Sequence, residues 1–136
     1  MIKTVCKIIG LVFVVAGLAG FFAPGLAGLH LSTVHNLIHL VSGALALYFG
    51  FAATLSAARL FGIVFGVVYL LLGVAGFLLG SQGTPSMHGM APDSRLFTVI
   101  PGVLELGTAD HLFHVLGGIV FLGAALLTKA DLNPRD

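Results

Sequence analysis

The chain has 136 residues, of which 58% are hydrophobic and only 8% are charged. Soluble domains carry about 25% charged residues, because their surfaces must be solvated. The composition, with a mean hydropathy of +1.12, therefore excludes a soluble globular domain and indicates a lipid-facing surface. A formal net charge of +1 provides no extended basic surface, so nucleic acid is excluded as a partner.

Four apolar segments follow one another along the chain, and each is close to the roughly 20 residues that a helix needs to cross a bilayer core. Their continuous hydrophobicity indicates helices rather than the alternating strands of a membrane barrel. The sequence therefore predicts an all-α fold, an integral membrane four-helix bundle, in one transmembrane domain over residues 1–136. The predicted helices cover residues 8–29, 34–55, 60–80 and 111–128.

The connection between the third and fourth helices, residues 81–109, begins polar and is rich in loop-forming residues. Its second part, residues 96–107, is apolar, but it is interrupted by Pro101 and is too short for a full span. We expect an external loop that contains an interfacial or re-entrant segment.

The polar part of this loop brings sulfur and nitrogen donors together. Met87 and Met90 offer thioethers and His88 offers an imidazole, a set that suits Cu(I). Loop methionines also occur without any metal, so an incidental arrangement stays open beside the copper interpretation.

The positively charged residues gather on one side of the membrane if the four helices alternate in direction. Only Arg95 falls on the other side. Loops rich in Lys and Arg stay in the cytoplasm, so the pattern predicts that both chain termini are cytoplasmic. The residues on the cytoplasmic side are Lys3, Lys7, Arg59, Lys129 and Arg135.

An internal duplication organises the chain. Residues 33–43 resemble residues 108–118, with His39 matching His114 and Gly43 matching Gly118. The bundle is therefore predicted to consist of two repeated helical hairpins related by an axis along the membrane normal, and sites in such repeats commonly form where the halves meet.

The matching segments also carry the residues that could bind a metal or a cofactor. His35 and His39 are spaced i, i+4 on the second helix, and Asp110 and His114 hold the matching positions on the fourth. Three imidazoles and a carboxylate suit zinc or another divalent metal, and His39 with His114 is the pair that could bind haem. Residues that could support or replace these ligands are Asn36, His111, Met87, His88, Met90 and Glu105.

A purely structural interpretation of the same residues stays open. His39 and His114 could hydrogen-bond across the helix interface, while His35 and Asp110 cap the outer ends of their helices. No nucleophile motif or phosphate loop is found, so enzyme activity is not assigned. The sequence predicts a small non-enzymatic membrane protein with a His/Asp cluster near its external face. A proton or small-ion transporter and a haem-dependent oxidoreductase are the alternatives.

The same composition indicates which partners the protein has. The apolar segments predict contact with the lipid bilayer. The glycines of the first and third helices could serve either internal packing or association with a second copy or another membrane protein.

Two short signatures resemble those of a known family. Asn36-Leu-Ile-His39 and Asp110-His-Leu-Phe-His114 resemble the Asn-x-x-His and Asp-Asn-x-x-His signatures of the bacterial four-helix membrane proteins of domain of unknown function 4383. His111 departs from the asparagine of the second signature. The resemblance implies four helices in a bacterial inner (cytoplasmic) membrane and carries no activity with it.

Overall fold

The computed structural model describes residues 1–129, which form four long helices and a small sheet. The prediction of four helices long and apolar enough to cross a membrane is confirmed. The elements in chain order are α1 (Ile2–Gly20), a 3₁₀ turn (Leu26–Gly28), α2 (Thr33–Phe51), α3 (Leu55–Leu79), β1 (Ser81–Gly83), β2 (Asp93–Ile100), β3 (Leu104–Leu106) and α4 (Thr108–Leu127).

The first helix lies nearer the N-terminus than residues 8–29. It starts at Ile2 because Lys3 and Lys7 are accommodated within it, and the Lys7 ammonium sits 4.4 Å from the centre of the Phe51 ring. It ends at Gly20 because Pro24 follows closely and disfavours further helix. The chain then turns through Ala27, whose φ of 55° lies outside the right-handed helical region.

The all-α prediction is wrong for the connection between α3 and α4, which forms a three-stranded antiparallel sheet in the order β1-β2-β3. Phe97 pairs with Leu106 and Thr98 with Glu105. The expected interfacial segment is thus a hairpin, because the β-branched run at 98–100 favours a strand and Gly102, at φ 72°, supplies the turn. The hairpin delivers the chain directly to the start of α4.

Each long helix packs chiefly on its sequence neighbour, α1 on α2 and α3 on α4. Glycines allow the close approach. A Cβ added to Gly10 would lie 3.0 Å from the Gly43 carbonyl oxygen, and one added to Gly66 would lie 3.0 Å from the Gly118 carbonyl oxygen. Such spacing leaves no room for a larger side chain and brings the two backbones of each pair into contact.

The two ends of the bundle differ in chemistry. One end holds an apolar core, which is closed by hydrogen bonds from the Ile2 N–H to Thr128 Oγ1 and from Arg59 Nε to the Ala125 carbonyl oxygen. The opposite end, at the starts of α2 and α4, holds the buried histidines and Asp110. The core residues are Ile2, Cys6, Ala46, Ala58, Phe61, Phe121, Ala124 and Ala125.

We expect Gly66→Ala to lower the melting temperature in detergent, because its Cβ would lie 2.6 Å from Leu122 Cγ and 2.8 Å from the Leu122 backbone nitrogen. Overpacking of this kind costs about 1–3 kcal/mol. Gly123→Ala is the matched control, since a Cβ there meets no atom within 4 Å, and its better helix propensity should leave the melting temperature unchanged or higher. Equal destabilisation of both variants would contradict the packing described.

Candidate metal centre

Three buried histidines converge where α2 and α4 face each other. His35 and His39 lie one turn apart on α2, and His114 lies on α4. One ring nitrogen of each lies within 4.8 Å of the others. The predicted ligands His35, His39 and His114 are therefore brought together.

The hydrogen bonding of His35 determines which of its nitrogens is free. Ser32 caps α2, its Oγ accepting a hydrogen bond from the His35 N–H at 3.3 Å, and His35 Nδ1 lies 2.8 Å from the His30 carbonyl oxygen. A carbonyl oxygen only accepts, so Nδ1 must carry the proton and donate. The lone pair of His35 is then on Nε2, the arrangement found in metal-binding histidines whose other nitrogen donates to a backbone carbonyl.

Among residues 1–129, each of the three rings has a buried nitrogen without a hydrogen-bond partner. These atoms are His35 Nε2, His39 Nδ1 and His114 Nδ1. A buried polar atom without a partner carries a desolvation penalty of about 1–3 kcal/mol. Three such atoms on three neighbouring histidines fit the donor set of a metal ion, which would satisfy all of them at once.

Aromatic side chains hold two of these rings in place. Phe13 of α1 stacks on His39 with ring centres 5.4 Å apart, and Tyr69 of α3 meets His114 edge-on at 5.2 Å. The Tyr69 hydroxyl in turn donates a hydrogen bond to Ser42 Oγ at 3.2 Å. All four helices thus contribute to the position of the cluster.

Asp110, the fourth predicted ligand, is not part of the three-histidine group. Its Oδ2 accepts hydrogen bonds from the Gly107 N–H at 2.7 Å and from the His30 N–H at 3.1 Å. Its Oδ1 lies 3.9 Å from His35 Nδ1. This is the protonated nitrogen of His35 and not Nε2, which carries the free lone pair. The carboxylate therefore stabilises the start of α4 and holds the segment that orients His35.

His30 contacts the residues around the cluster, although its spacing in the sequence does not predict this. It is buried, its ring lies 3.8 Å from Asp93 and 4.0 Å from Asp110, and its backbone bonds to both Asp110 and His35. It precedes α2 in irregular chain, so no helical periodicity connects it to the other histidines.

The side chains of Asn36 and His111 lie within the helix pairs, Asn36 between α1 and α2 and His111 between α3 and α4, rather than at the three-histidine cluster. The Asn36 side chain packs against Gly20 and donates from Nδ2 to the Leu31 carbonyl oxygen at 3.2 Å. The His111 ring packs against Gly76, and its Nε2 donates to the Arg95 carbonyl oxygen at 2.7 Å. Asn36 therefore ties α2 to the connection that precedes it, and His111 ties α4 to β2.

Among the loop donors, His88 is exposed, Met90 lies near Gly25, and Met87 lines a shallow cavity with Glu105. The Cu(I) interpretation stays a prediction. The Glu105 carboxylate binds the loop rather than the histidine cluster: it accepts hydrogen bonds from the Ser86 N–H at 2.6 Å and the Ser86 hydroxyl at 2.8 Å.

Asp93 joins the sheet to α4. Its carboxylate accepts hydrogen bonds from the Thr108 hydroxyl at 2.6 Å and from the Thr108 N–H at 3.0 Å. Partial burial raises the pKa of this carboxyl, but the hydrogen bonds from Thr108 and Arg95 outweigh burial and hold the pKa below its ordinary value. Asp93 is therefore an anion at neutral pH and caps α4.

We expect Asp93→Asn to lower stability at pH 7 by about 1 kcal/mol, because the amide keeps an acceptor oxygen but loses the negative charge that strengthens the hydrogen bonds from Thr108 and favours the start of α4. A folded-state pKa below the unfolded value means that the stabilisation is fully present above the ordinary carboxyl pKa of 3.8 and is lost as pH falls through the folded pKa. Melting curves of wild type and variant should therefore converge in acid. A difference in melting temperature between wild type and variant that grows as the pH falls would contradict this role.

Comparison with known proteins adds no assignment to this geometry. No family model, curated protein or solved structure matches the chain. The resemblance to the family of domain of unknown function 4383 stays an expectation.

Proposed function

We propose that this protein spans a membrane four times and binds one divalent transition-metal ion, of the zinc type, through His35, His39 and His114. The observation that carries the proposal is the convergence of three buried histidines, with one ring nitrogen of each within 4.8 Å of the others. Each of the three rings also has a buried nitrogen without a hydrogen-bond partner among the described residues. Neutral imidazole is a preferred ligand of zinc and its neighbours, and three of them leave a fourth coordination position open.

The exposed surface of the helices supports the membrane placement. Large apolar side chains cover it along its length, with exposed fractions of 74% for Leu78 and 73% for Leu127. Soluble monomers rarely expose contiguous apolar surface on this scale. Lipid is the solvent that this surface fits.

The charged residues support the orientation. Lys3, Lys7, Arg59 and Lys129 lie at the end that holds the apolar core, and Arg95 lies at the histidine end. Arg135, also counted in the sequence argument, lies outside the described residues. By the positive-inside rule, both termini are cytoplasmic and the histidine end is external. In line with the family resemblance, we place the protein in a bacterial inner membrane.

Matching contacts support the two-hairpin repeat. Gly10 opposes Gly43 in the first hairpin as Gly66 opposes Gly118 in the second. The Asn36 side chain fills the space above Gly20, and the His111 ring fills the space above Gly76. In a duplicated bundle, His39 and His114 are equivalent residues that meet near the common axis.

The geometry favours a single ion over haem and over a transport path. Two histidines that bind haem iron must lie on opposite faces of a flat macrocycle, but here a third nitrogen, that of His35, lies within 4.8 Å of those of both His39 and His114, which suits three ligands of one small ion. Below the cluster the interior is aromatic, with Phe61, Phe65 and Phe121 in contact, so the polar groups do not continue towards the other end.

Equilibrium metal binding tests the proposal. We expect wild-type protein in detergent, loaded with Zn²⁺ and separated by gel filtration, to retain one ion per chain. His39→Ala and His114→Ala should weaken binding by more than about 100-fold, beyond the 10–100-fold effect of losing a supporting group. Exposed His88→Ala is the control and should bind as wild type. A wild type without retained zinc, or variants that bind normally, would overturn the proposal.

Topology has its own test. In a Cys6→Ala background, we expect a membrane-impermeant maleimide to label His88→Cys from outside intact cells but to label Ser56→Cys only after lysis, since both positions are exposed and lie at opposite ends of the bundle. Labelling of both from the same side would rule out the four-span arrangement.

A further inference from the structure

A lateral cavity of about 330 Å³ lies between α1 and α4 and reaches the histidine cluster. Its walls are apolar, but its lining includes His39, His114 and Asp110 at one end. Val12 and Phe113, which also line it, are more than half exposed, at 56% and 52%. The cavity therefore connects the proposed lipid-facing surface with two of the candidate metal ligands.

The cavity runs along the helices. Its lining extends on α4 from Asp110 to Val120 and on α1 from Ala16 back to Ile9. Ten residues of helix rise roughly 15 Å, so the cavity is long and narrow. Its polar end lies near the membrane surface and its apolar end points towards the bilayer centre, which is the orientation of a single-chain lipid.

The opposite side of the cluster is closed differently. A second cavity, of about 220 Å³, lies between α2 and α3, but Val99, Leu104 and Leu106 of the sheet form part of its wall. The sheet thus covers this cavity from the external side. The α1–α4 cavity has no strand residue in its lining, and Leu29, just before α2, is its one lining residue outside the long helices.

Gly117 has no packing reason to be a glycine. It lines the α1–α4 cavity, and a Cβ there would meet no atom within 4 Å, in contrast to Gly118, whose added Cβ would lie 2.6 Å from the Leu70 backbone nitrogen. Glycine in a helix interior is destabilising by roughly 0.5–1 kcal/mol relative to alanine. The absence of a side chain at Gly117 leaves this part of the cavity wall open.

Charge identifies the head group that fits. Three neutral imidazoles leave a bound divalent ion with its full charge. One anionic oxygen donor would reduce that charge and fill the fourth position of a tetrahedral ion. A carboxylate meets both requirements, whereas the neutral carbonyl of a quinone leaves the full charge of the ion in an apolar medium, which is unfavourable.

We infer that the α1–α4 cavity binds a fatty acid, with its carboxylate on the metal ion held by His35, His39 and His114 and its chain between the two helices. The inference rests on the proposed metal site. In a bilayer the chain exchanges one apolar environment for another, so the carboxylate–metal bond provides the affinity and the membrane raises the local concentration of the ligand.

Cobalt-substituted protein in lipid nanodiscs tests this inference, because the visible bands of tetrahedral Co²⁺ change with its fourth ligand. We expect sodium decanoate to shift the bands saturably. Acetate should need a concentration at least about 10-fold higher, an apparent difference of 1.4 kcal/mol or more, and decane should have no effect. Gly117→Phe should keep the cobalt bands but respond to decanoate at least about 10-fold more weakly.

Gly123→Phe is the matched control, because Gly123 lies on the same helix, is equally open and is not among the residues lining the cavity. It should respond as wild type. Gly117→Leu fills the cavity less and replaces Gly117→Phe if that variant loses cobalt.

Three results would overturn the inference. Cobalt bands that decanoate leaves unchanged would overturn it and leave the metal site standing. An undiminished response in a Gly117 variant that retains cobalt would remove the cavity assignment. A wild type without cobalt bands would overturn the metal site together with the fatty acid.

Discussion

The connection between Asp110 and His30 positions the histidine cluster. Asp110 Oδ2 accepts hydrogen bonds from the Gly107 N–H at the start of its own helix and from the His30 N–H, while the His30 carbonyl oxygen accepts from His35 Nδ1. A carboxylate of the second hairpin therefore fixes the tautomer and orientation of an imidazole of the first. Because these groups are buried, each bond is made in a medium of low polarity, where it is stronger and its loss more costly.

The glycines provide the second constraint. They bring α1 against α2 and α3 against α4, so that the two hairpins meet through His35, His39 and His114 together with Phe13 and Tyr69. Between the hairpins, the cavity at α1 and α4 is left unfilled. Tight packing inside each hairpin and looser packing between hairpins together account for a polar cluster with a lateral opening.

Much of this could be predicted from the sequence. Four long, continuously apolar segments identify the four helices that are long and apolar enough to cross a membrane. The i, i+4 spacing of His35 and His39, together with His114 in the similar second segment, identifies the residues that converge. The start of α1 was missed because lysines can extend their charged ends to the membrane surface while their backbone stays helical. The sheet was missed because a run of three β-branched residues is too short to identify a strand beside a long apolar segment.

The role of Asp110 could not be read from spacing. A carboxylate in the first turn of a helix can bind a ligand or return to the free N–H groups of its own helix, and the choice depends on the position of His30, which lies in irregular chain. His30 itself gives no periodic signal. Contacts that depend on loop geometry are therefore the part of the site that the sequence leaves undetermined.

The most direct measurement of the central claim is the X-ray absorption spectrum of the zinc-loaded protein at the zinc edge. The account predicts three imidazole nitrogens and one oxygen at about 2.0–2.1 Å, and loss of this signal when His35, His39 and His114 are replaced together. A spectrum of hydrated zinc, or one that the triple replacement leaves unchanged, would contradict the account.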